Sequence, residues 1–443
     1  MENLKPNQIR LYTKGFRAIN SADIIIDGIT VVAGENGCGK STLSKLLYYS
    51  YKTMSNYEVL VAEGLSSSLS NVERFIDIAL RNLSNKSVKR NNRLELYQDF
   101  LTLKNEVNSG DINEELLEEW INLIEKIKLA NVLSSNNYND SKRLSYIALD
   151  VVGNRFKDED LIEEPFELIK KYVDSLFKKA FGLIKSRTSN LFKEGLKEIF
   201  HDDKIPASFK VYEFGEEIVS LSKNSLSIPY VIQQVIYIDT PMMVGVDTFE
   251  DNHWEDLNFL LRKKSGNSFT EFSNLIAEEI IKGDASHDDS ILGLNDFLFK
   301  RADGELFNLL DCATGVKSFS ILQILLNNGS INDKTLLILD EPETHLHPQW
   351  IIEYARLIVL LNKHVGVKFF IASHNPDMVS AIRIISEKEN TLDGLNFYIG
   401  NKKNLGDYSY DYINLGVNID PIFDSFNIAL DRIHLYGEEN NGL

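Results

Sequence analysis

Residues 29–47 read ITVVAGENGCGKSTLSKLL. An apolar, β-branched run gives way to a glycine-rich turn and then to helical spacing. Inside it, Gly34-Glu35-Asn36-Gly37-Cys38-Gly39-Lys40-Ser41 fits the pattern G-x-x-x-x-G-K-[ST], with Thr42 next. The chemistry explains the spacing. Glycines let successive backbone N–H groups curl around phosphate oxygens. The helix that follows turns the positive end of its dipole on them. Lys40 would bring a charge to the β- and γ-phosphates, and Ser41 a hydroxyl to Mg²⁺. The candidate phosphate site is therefore Gly34, Asn36, Gly37, Cys38, Gly39, Lys40, Ser41 and Thr42. Cys38 reads as a small residue tolerated in the loop.

A second signal lies far along the chain. The run TLLILD ends in Asp340 and is followed by Glu341. A buried strand would deliver both carboxylates at its C-terminal end, where open α/β sheets bind ligands. Asp340 would hold Mg²⁺, and Glu341 would orient or deprotonate an attacking water. The strand candidate VKFFIAS ends beside His374, which from there can reach a γ-phosphate. Ahead of the acidic pair, Thr314, Gly315 and Lys317 open the helix candidate FSILQILL, a second anion-binding helix start.

Outward from these motifs, the chain has 443 residues, enough for two to four domains or one domain with an insertion. Hydrophobic residues make up 43% and charged residues 25%, an ordinary globular balance that argues against disorder. With 47 Lys+Arg against 65 Asp+Glu, the net charge is −18. Such a field repels phosphate backbones, so general polyanion binding is excluded. A local nucleic-acid contact stays open, at Lys86, Lys89, Arg90 and Arg93 or at Arg262, Lys263 and Lys264. Two cysteines, Cys38 and Cys312, are too few for a disulfide framework, so a cytoplasmic location is expected. No apolar run approaches the roughly 18 residues of a membrane span.

Strands are expected at Gln8–Tyr12 and Asp23–Val32, the latter broken by a hairpin-type signal at Asp27-Gly28. Helical periodicity dominates 61–204, with Leu116, Trp120, Leu123, Ile124 and Ile127 in one segment and Tyr172, Leu176, Phe177, Ala180 and Leu183 in another. Loops are expected at Asn82–Asn92 and Ser134–Asp140. Strands return at Phe209–Phe214 and Tyr230–Ile238, followed by acidic loops at Asp247–Asp256 and Gly283–Asp289. From Asn332 onward strands and helices alternate, which argues for a parallel sheet with crossover helices.

In order, GENGCGKST, ATGVKS, LLILDEPETHLHP and ASHNP resemble the ABC-class ATPases of the Rad50, SMC and OLD kind, often labelled AAA family. The resemblance covers about residues 1–60 and 205–430. It implies an α/β fold: an ABC-type P-loop ATPase head with a mostly parallel sheet and antiparallel N-terminal strands, plus an inserted helical region. The implied domains are 1–60 with the phosphate loop, 61–204 as the helical insertion, and 205–443 with the remaining motifs. The resemblance puts the signature motif at Thr314, Gly315 and Lys317, with Ala313 and Val316 where the family has Leu and Gly. It puts the D-loop within Thr344–Pro348, the switch histidine at His374, Asp239 or Thr240 in the Q-loop, and Arg17 near the nucleotide. ETHLHP thus reads as a dimer contact, with metal binding by Glu343, His345 and His347 as the weaker reading.

The insertion is too short for long coiled-coil arms, and His374 to Leu443 is too short for the Toprim nuclease domain of OLD-type proteins. No nuclease activity of its own is therefore expected. DEPETHLHP and the tail INLGVNIDPIFDSFNIALDRIHLYG are similar to the PtuA-type ATPases of Septu and of some retrons. That likeness implies ATP and Mg²⁺ as cofactors, and a homodimer or higher homo-oligomer closing around ATP. It also implies a separate HNH-type nuclease of the PtuB kind, alone or with a retron reverse transcriptase and its RNA and DNA, and no membrane partner. Three alternatives stay open: a repair or recombination ATPase that clamps DNA itself, the nucleotide-binding subunit of a transporter, and a module that does not hydrolyse.

Overall fold

The computed structural model describes residues 7–84, 90–134, 138–153, 164–244, 253–264, 270–288, 296–344, 346–402, 404 and 406–424. The chain divides into two units, Met1–Ser55 with Ser189–Leu443, and Asn56–Thr188.

The first unit opens with β1 (Ile9–Phe16), β2 (Ile19–Ile26), β3 (Ile29–Ala33) and α1 (Lys40–Ser55). The second consists of α2 (Tyr57–Ser84), α3 (Arg90–Asn108), α4 (Glu114–Ser134), α5 (Tyr138–Val152) and α6 (Pro165–Ser186). The first unit resumes with α7 (Ser189–Phe200), β4 (Ser208–Glu213), β5 (Glu216–Ser220), β6 (Gln234–Ile238), α8 (His253–Leu261) and α9 (Thr270–Leu275). Next come β7 (Gly283–Asp288), β8 (Asp296–Arg301), β9 (Leu306–Asn308), α10 (Thr314–Asn327), β10 (Thr335–Asp340) and α11 (Pro348–Val365). It ends with β11 (Lys368–Ala372), α12 (Pro376–Lys388), β12 (Leu395–Lys402) and β13 (Tyr410–Gly416).

Ten strands form one sheet in the order β5-β4-β1-β2-β13-β12-β3-β11-β10-β6. From β12 to β6 every pairing is parallel, whereas β5, β4, β1 and β2 pair antiparallel. The physical cause is legible in the strands. Every residue of β3, β10 and β11 is buried, as expected of strands covered on both faces. β1 alternates over its first five residues and has one wetter face. Between the parallel strands, α11 starts at Pro348 and ends at Val365, and Gly366, with φ of 86°, caps it in the left-handed conformation. β7, β8 and β9 form a separate three-stranded antiparallel sheet.

In the second unit, the α4 stripe Leu116, Trp120, Leu123, Ile124 and Ile127 is wholly buried. Trp120 meets Phe100 edge-on at 6.0 Å, and Phe75 meets Phe166 in the same way at 5.2 Å. Tyr172, Leu176, Phe177 and Ala180 of α6 are buried as well.

The structure corrects several local expectations. Asp27-Gly28 is not a hairpin. β2 and β3 do not pair; β2 lies between β1 and β13, and β3 between β12 and β11. Gly28 serves close approach instead: its N–H donates to the Gly394 carbonyl at 3.0 Å and its carbonyl accepts from Phe369 N–H at 2.8 Å. A Cβ there would stand 3.0 Å from the Asn362 side chain. The strand expected over Tyr230–Ile238 begins only at Gln234. Glu213 captures the backbone N–H groups of Tyr230, Val231 and Ile232 at 2.7, 2.9 and 3.3 Å, so these three residues have no N–H left for a ladder. Part of the expected acidic loops is ordered into α8 and β7, and Ala285 of β7 is buried on one sheet face with Phe297 and Phe299 of β8. α7, expected within 61–204, belongs to the first unit, where Phe192 stacks on Tyr49 at 5.9 Å. Within the loops expected at 82–92 and 134–140, residues 85–89 and 135–137 lie outside the described residues, and helices occupy the rest. His345, Lys86, Lys89 and the tail beyond Asp424 also lie outside them.

Candidate active site

Parallel pairing brings the motifs to one edge. Val32 of β3 stands beside Ala372 of β11, and Ala372 beside Asp340 of β10. The phosphate loop, Ser373-His374 and Asp340-Glu341 therefore leave adjacent strands at their carboxyl ends. That edge is where a doubly covered sheet exposes backbone and side chains to a ligand.

The loop from Gly34 to Gly39 has the conformation its glycines predict. Gly34, Gly37 and Gly39 have φ of 147°, 82° and 99°, in the region that side chains disfavour. At Gly39 there is a second reason for glycine, since a Cβ would stand 2.9 Å from Ile19. Asn36 and Gly37 are exposed at the tip, Ser41 is exposed, and Thr42 is half-buried in the first turn of α1. Lys40 is 5% exposed, and its ammonium donates to the Gly34 and Glu35 carbonyls at 2.9 and 3.1 Å. Cys38 is fully buried, beneath Tyr412, whose hydroxyl donates to the Cys38 carbonyl at 3.0 Å. Burial raises the Tyr412 pKa far above the ordinary phenol, so it stays a donor.

Asp340 is 5% exposed. Burial raises its pKa, and hydrogen bonds from Ser41 and Tyr237 oppose that rise. Tyr237, from β6, donates to Oδ2 at 2.9 Å, while Oδ1 is buried with no hydrogen-bond partner. A buried carboxylate oxygen left without a donor is costly unless a cation meets it. Ser41 and Asp340 therefore fit a Mg²⁺ ion, a hard cation that takes one or two protein oxygens beside phosphate and water. When bound, the ion would neutralise phosphate charge.

Glu341 turns sharply out of β10 with φ of 52°. Such a conformation costs of the order of 1–3 kcal/mol for a residue with a side chain. It is pinned by Glu341 N–H on the Ala372 carbonyl at 2.8 Å. The turn carries the carboxylate away from the core: its side chain is 38% exposed, and that of His374 is 41% exposed. Nδ1 of His374 lies 3.1 Å from Glu341 Oε1. A water-accessible carboxylate paired with an imidazole is an arrangement suited to handling a proton from water.

Motif reading gives no role to Ser373 or Tyr237, and to Glu343 only a place in the dimer-contact reading and in the weaker metal one. Glu343 Oε1 accepts from Ser373 Oγ at 2.8 Å and from His374 N–H at 3.1 Å. The signal for Glu343 in sequence is the second acid of DEPE, which reads first as part of a dimer contact and only second, with His345 and His347, as a metal set. His347 instead caps α11, its Nδ1 accepting from Gln349 N–H at 3.4 Å. Among the described residues no cluster of three His, Cys, Asp or Glu could hold a metal ion. Asp239 follows β6 and lies 2.9 Å from His253 Nε2, while Thr240 caps the short turn after it.

Arg17 lies between β1 and β2, next in the chain to Ala18 and Ile19, which flank Gly39 of the loop. Its guanidinium donates to the Phe200 carbonyl at the end of α7, at 2.6 Å, and lies over the Phe200 ring. Thr314, Gly315 and Lys317 open α10, with Gly315 and Lys317 buried. A Cβ on Gly315 would stand 2.3 Å from two ring carbons of Trp350. That ring also meets Phe319 edge-on at 5.7 Å and cannot slide away freely. Gly315→Ala should therefore destabilise the fold by about 1–3 kcal/mol, read as a lowered thermal or urea midpoint. An unchanged midpoint would mean that the indole yields without cost.

A family model described as AAA ATPase domain matches residues 9–379. Among solved structures, the chain is similar to the Smc head domain with an extended coiled coil bound to the C-terminal domain of ScpA, from Pyrococcus furiosus. The identity is 10%, the match covers 96% of this chain and 98% of that one, and the TM-score is 0.34. It is similar also to the SMC head domain from Thermotoga maritima at 12% identity, covering 92% of this chain and 98% of that one, with a TM-score of 0.35. Comparison with curated proteins gives no match.

Proposed function

The chain belongs to the AAA ATPase domain family, and from that premise we propose that it is an ATP-hydrolysing switch of the ABC class that controls a separate nuclease in anti-phage defence. The observation that carries the ATPase part is the convergence of Lys40, Ser41, Asp340, Glu341 and His374 at the ends of three adjacent parallel strands. Gly34 to Thr42 would cradle the phosphates, and Ser41 with Asp340 would hold Mg²⁺. Glu341, paired with His374, orients and deprotonates the attacking water.

The start of α10 supplies the switch. Thr314, Gly315 and Lys317 would close over ATP held by a second copy, giving a head-to-tail dimer with two sandwiched sites. A ligand shifts an equilibrium only by its unequal affinity for the two states. The γ-phosphate, present before hydrolysis and absent after, is that difference. An acidic chain of an ATPase family, whose segments DEPETHLHP and INLGVNIDPIFDSFNIALDRIHLYG are similar to those of PtuA-type ATPases, is suited to restrain an effector rather than to hold DNA itself. The effector is an HNH-type nuclease, alone in a Septu-type complex or with a reverse transcriptase and its nucleic acid in a retron.

The test is purification from the native gene neighbourhood, tagged on this chain, with mass and composition determined with and without ATP. The expected result is a dimer or larger assembly holding a small nuclease in fixed ratio. Recovery of this chain alone, dimerising only with ATP and DNA and hydrolysing faster on DNA, would overturn the regulatory reading in favour of a DNA clamp.

A further inference from the structure

We infer that Glu343 is a positioning residue that holds His374 in register with Glu341; the inference rests on the reading that this pair acts on ATP. Its side chain is 3% exposed. One oxygen does all its visible bonding. Oε1 accepts from Ser373 Oγ and from His374 N–H, at 2.8 and 3.1 Å, and lies 3.7 Å from His374 Nδ1. Ser373 Oγ in turn accepts from Asn375 N–H at 3.1 Å. Asn375 caps α12 by accepting from Met378 N–H at 3.0 Å. The carboxylate therefore fixes three consecutive residues, 373 to 375, where β11 passes into α12.

The clamp also spans two elements. Glu343 sits just after Glu341 in the turn leaving β10, whereas His374 leaves β11. Backbone pairing alone brings the two strand ends side by side through Glu341 N–H on Ala372. It does not set where the His374 ring points. Glu343 binds the hydroxyl of the preceding Ser373 and the amide of His374 itself, so the ring's root is fixed to the acid-bearing turn. Oε2 is buried with no hydrogen-bond partner, and burial raises the group's pKa. A turn could be capped by a neutral side chain at lower desolvation cost. A carboxylate in this place, reaching across to the histidine, is explained by the position it imposes.

The experiment is a double-mutant cycle on the full chain. Glu343→Ala should lower kcat about tenfold, a misplacement effect smaller than loss of the base itself, with KM within about threefold. Glu343→Gln keeps an acceptor oxygen in place of Oε1 and should restore most of that loss. In a His374→Ala background, Glu343→Ala should cost nothing further, because a residue that acts through another is not additive with it. Additive losses, or Gln as poor as Ala, would overturn the positioning role. The nitrogen-15 shifts of the His374 ring, assigned by comparison with His374→Ala, give a readout independent of turnover. In the parent they should report one fixed tautomer, and in Glu343→Ala an averaged ring. Unchanged shifts would overturn the inference even if the parent hydrolyses no ATP, an outcome that would instead sink the ATPase reading. Should Glu343→Ala fail to fold, Ser373→Ala removes the hydroxyl arm of the same clamp and must show the same averaging.

Discussion

Replacing Glu341 with Gln is expected to lower ATP turnover by roughly 10²–10⁴, the usual contribution of a positioned general base. The substitution keeps the size and the acceptor oxygen but removes the ability to take a proton. The amide can still face His374 Nδ1, which lies 3.1 Å from Oε1 in the parent. The left-handed turn at this residue is a backbone property held by the Ala372 carbonyl, so it should survive. Phosphate binding rests on the loop and Lys40, so ATP affinity should stay within about threefold of the parent. The consequence is a protein that closes on ATP and cannot reopen by hydrolysis. Mass measurement should then find a persistent ATP-bound dimer where the parent gives a transient one. Turnover equal to the parent's would remove Glu341 from its role. Loss of ATP binding along with turnover would mean that the side chain holds the loop rather than the water.

Much of this site could be read from the sequence because each part is local. Gly34 to Ser41 carries its own conformational demands, and the structure meets them with three left-handed glycines. TLLILD is apolar throughout because β10 is buried on both faces, and the acids at its end mark the strand's exit. Tyr237 and Tyr412 have no such local signature, and the acid at Glu343 does not by itself name its partner. Each acts on a residue remote in sequence: Glu343 on Ser373, Tyr237 on Asp340, Tyr412 on Cys38. Those contacts exist only once parallel strands have been ordered, and parallel order leaves no turn in the sequence to announce it. Asp27-Gly28 shows the same limit from the other side. The dipeptide is typical of a tight turn, yet Gly28 is small because Asn362 and Gly394 crowd it. A glycine chosen for space and a glycine chosen for φ look alike in sequence. Likewise, nothing in YVIQQ says that Glu213 will take its first N–H groups and delay the strand to Gln234.

Lys40→Met should raise the dissociation constant for ATP by about 100-fold or more. Hydrogen bonds to charged groups contribute about 1.5–3 kcal/mol each, and every 1.4 kcal/mol is tenfold. Lys40 would make two such contacts, to the β- and γ-phosphates. Its present partners make the prediction sharper. The ammonium donates to the Gly34 and Glu35 carbonyls at 2.9 and 3.1 Å, inside a loop where it is 5% exposed. It therefore lies already at the mouth of the phosphate cradle, and a bound phosphate would replace neutral carbonyls with anionic oxygens. Methionine keeps most of the apolar stem that packs there; of the two carbonyls it leaves, that of Glu35 belongs to an exposed residue and that of Gly34 is buried. The fold should then lose at most about 1–3 kcal/mol, the cost of a buried polar group left unpaired. Lys40→Arg separates charge from shape. It retains the cation, but a planar, five-donor fork is a poor replacement for a compact ammonium between two closely spaced carbonyls. Its affinity should fall between parent and Met. Titration with a non-hydrolysable ATP analogue reads all three without depending on turnover. Equal affinity for parent and Met would mean that the backbone N–H groups of Gly34 to Ser41 hold the phosphates alone, and that Lys40 is a structural brace of its own loop.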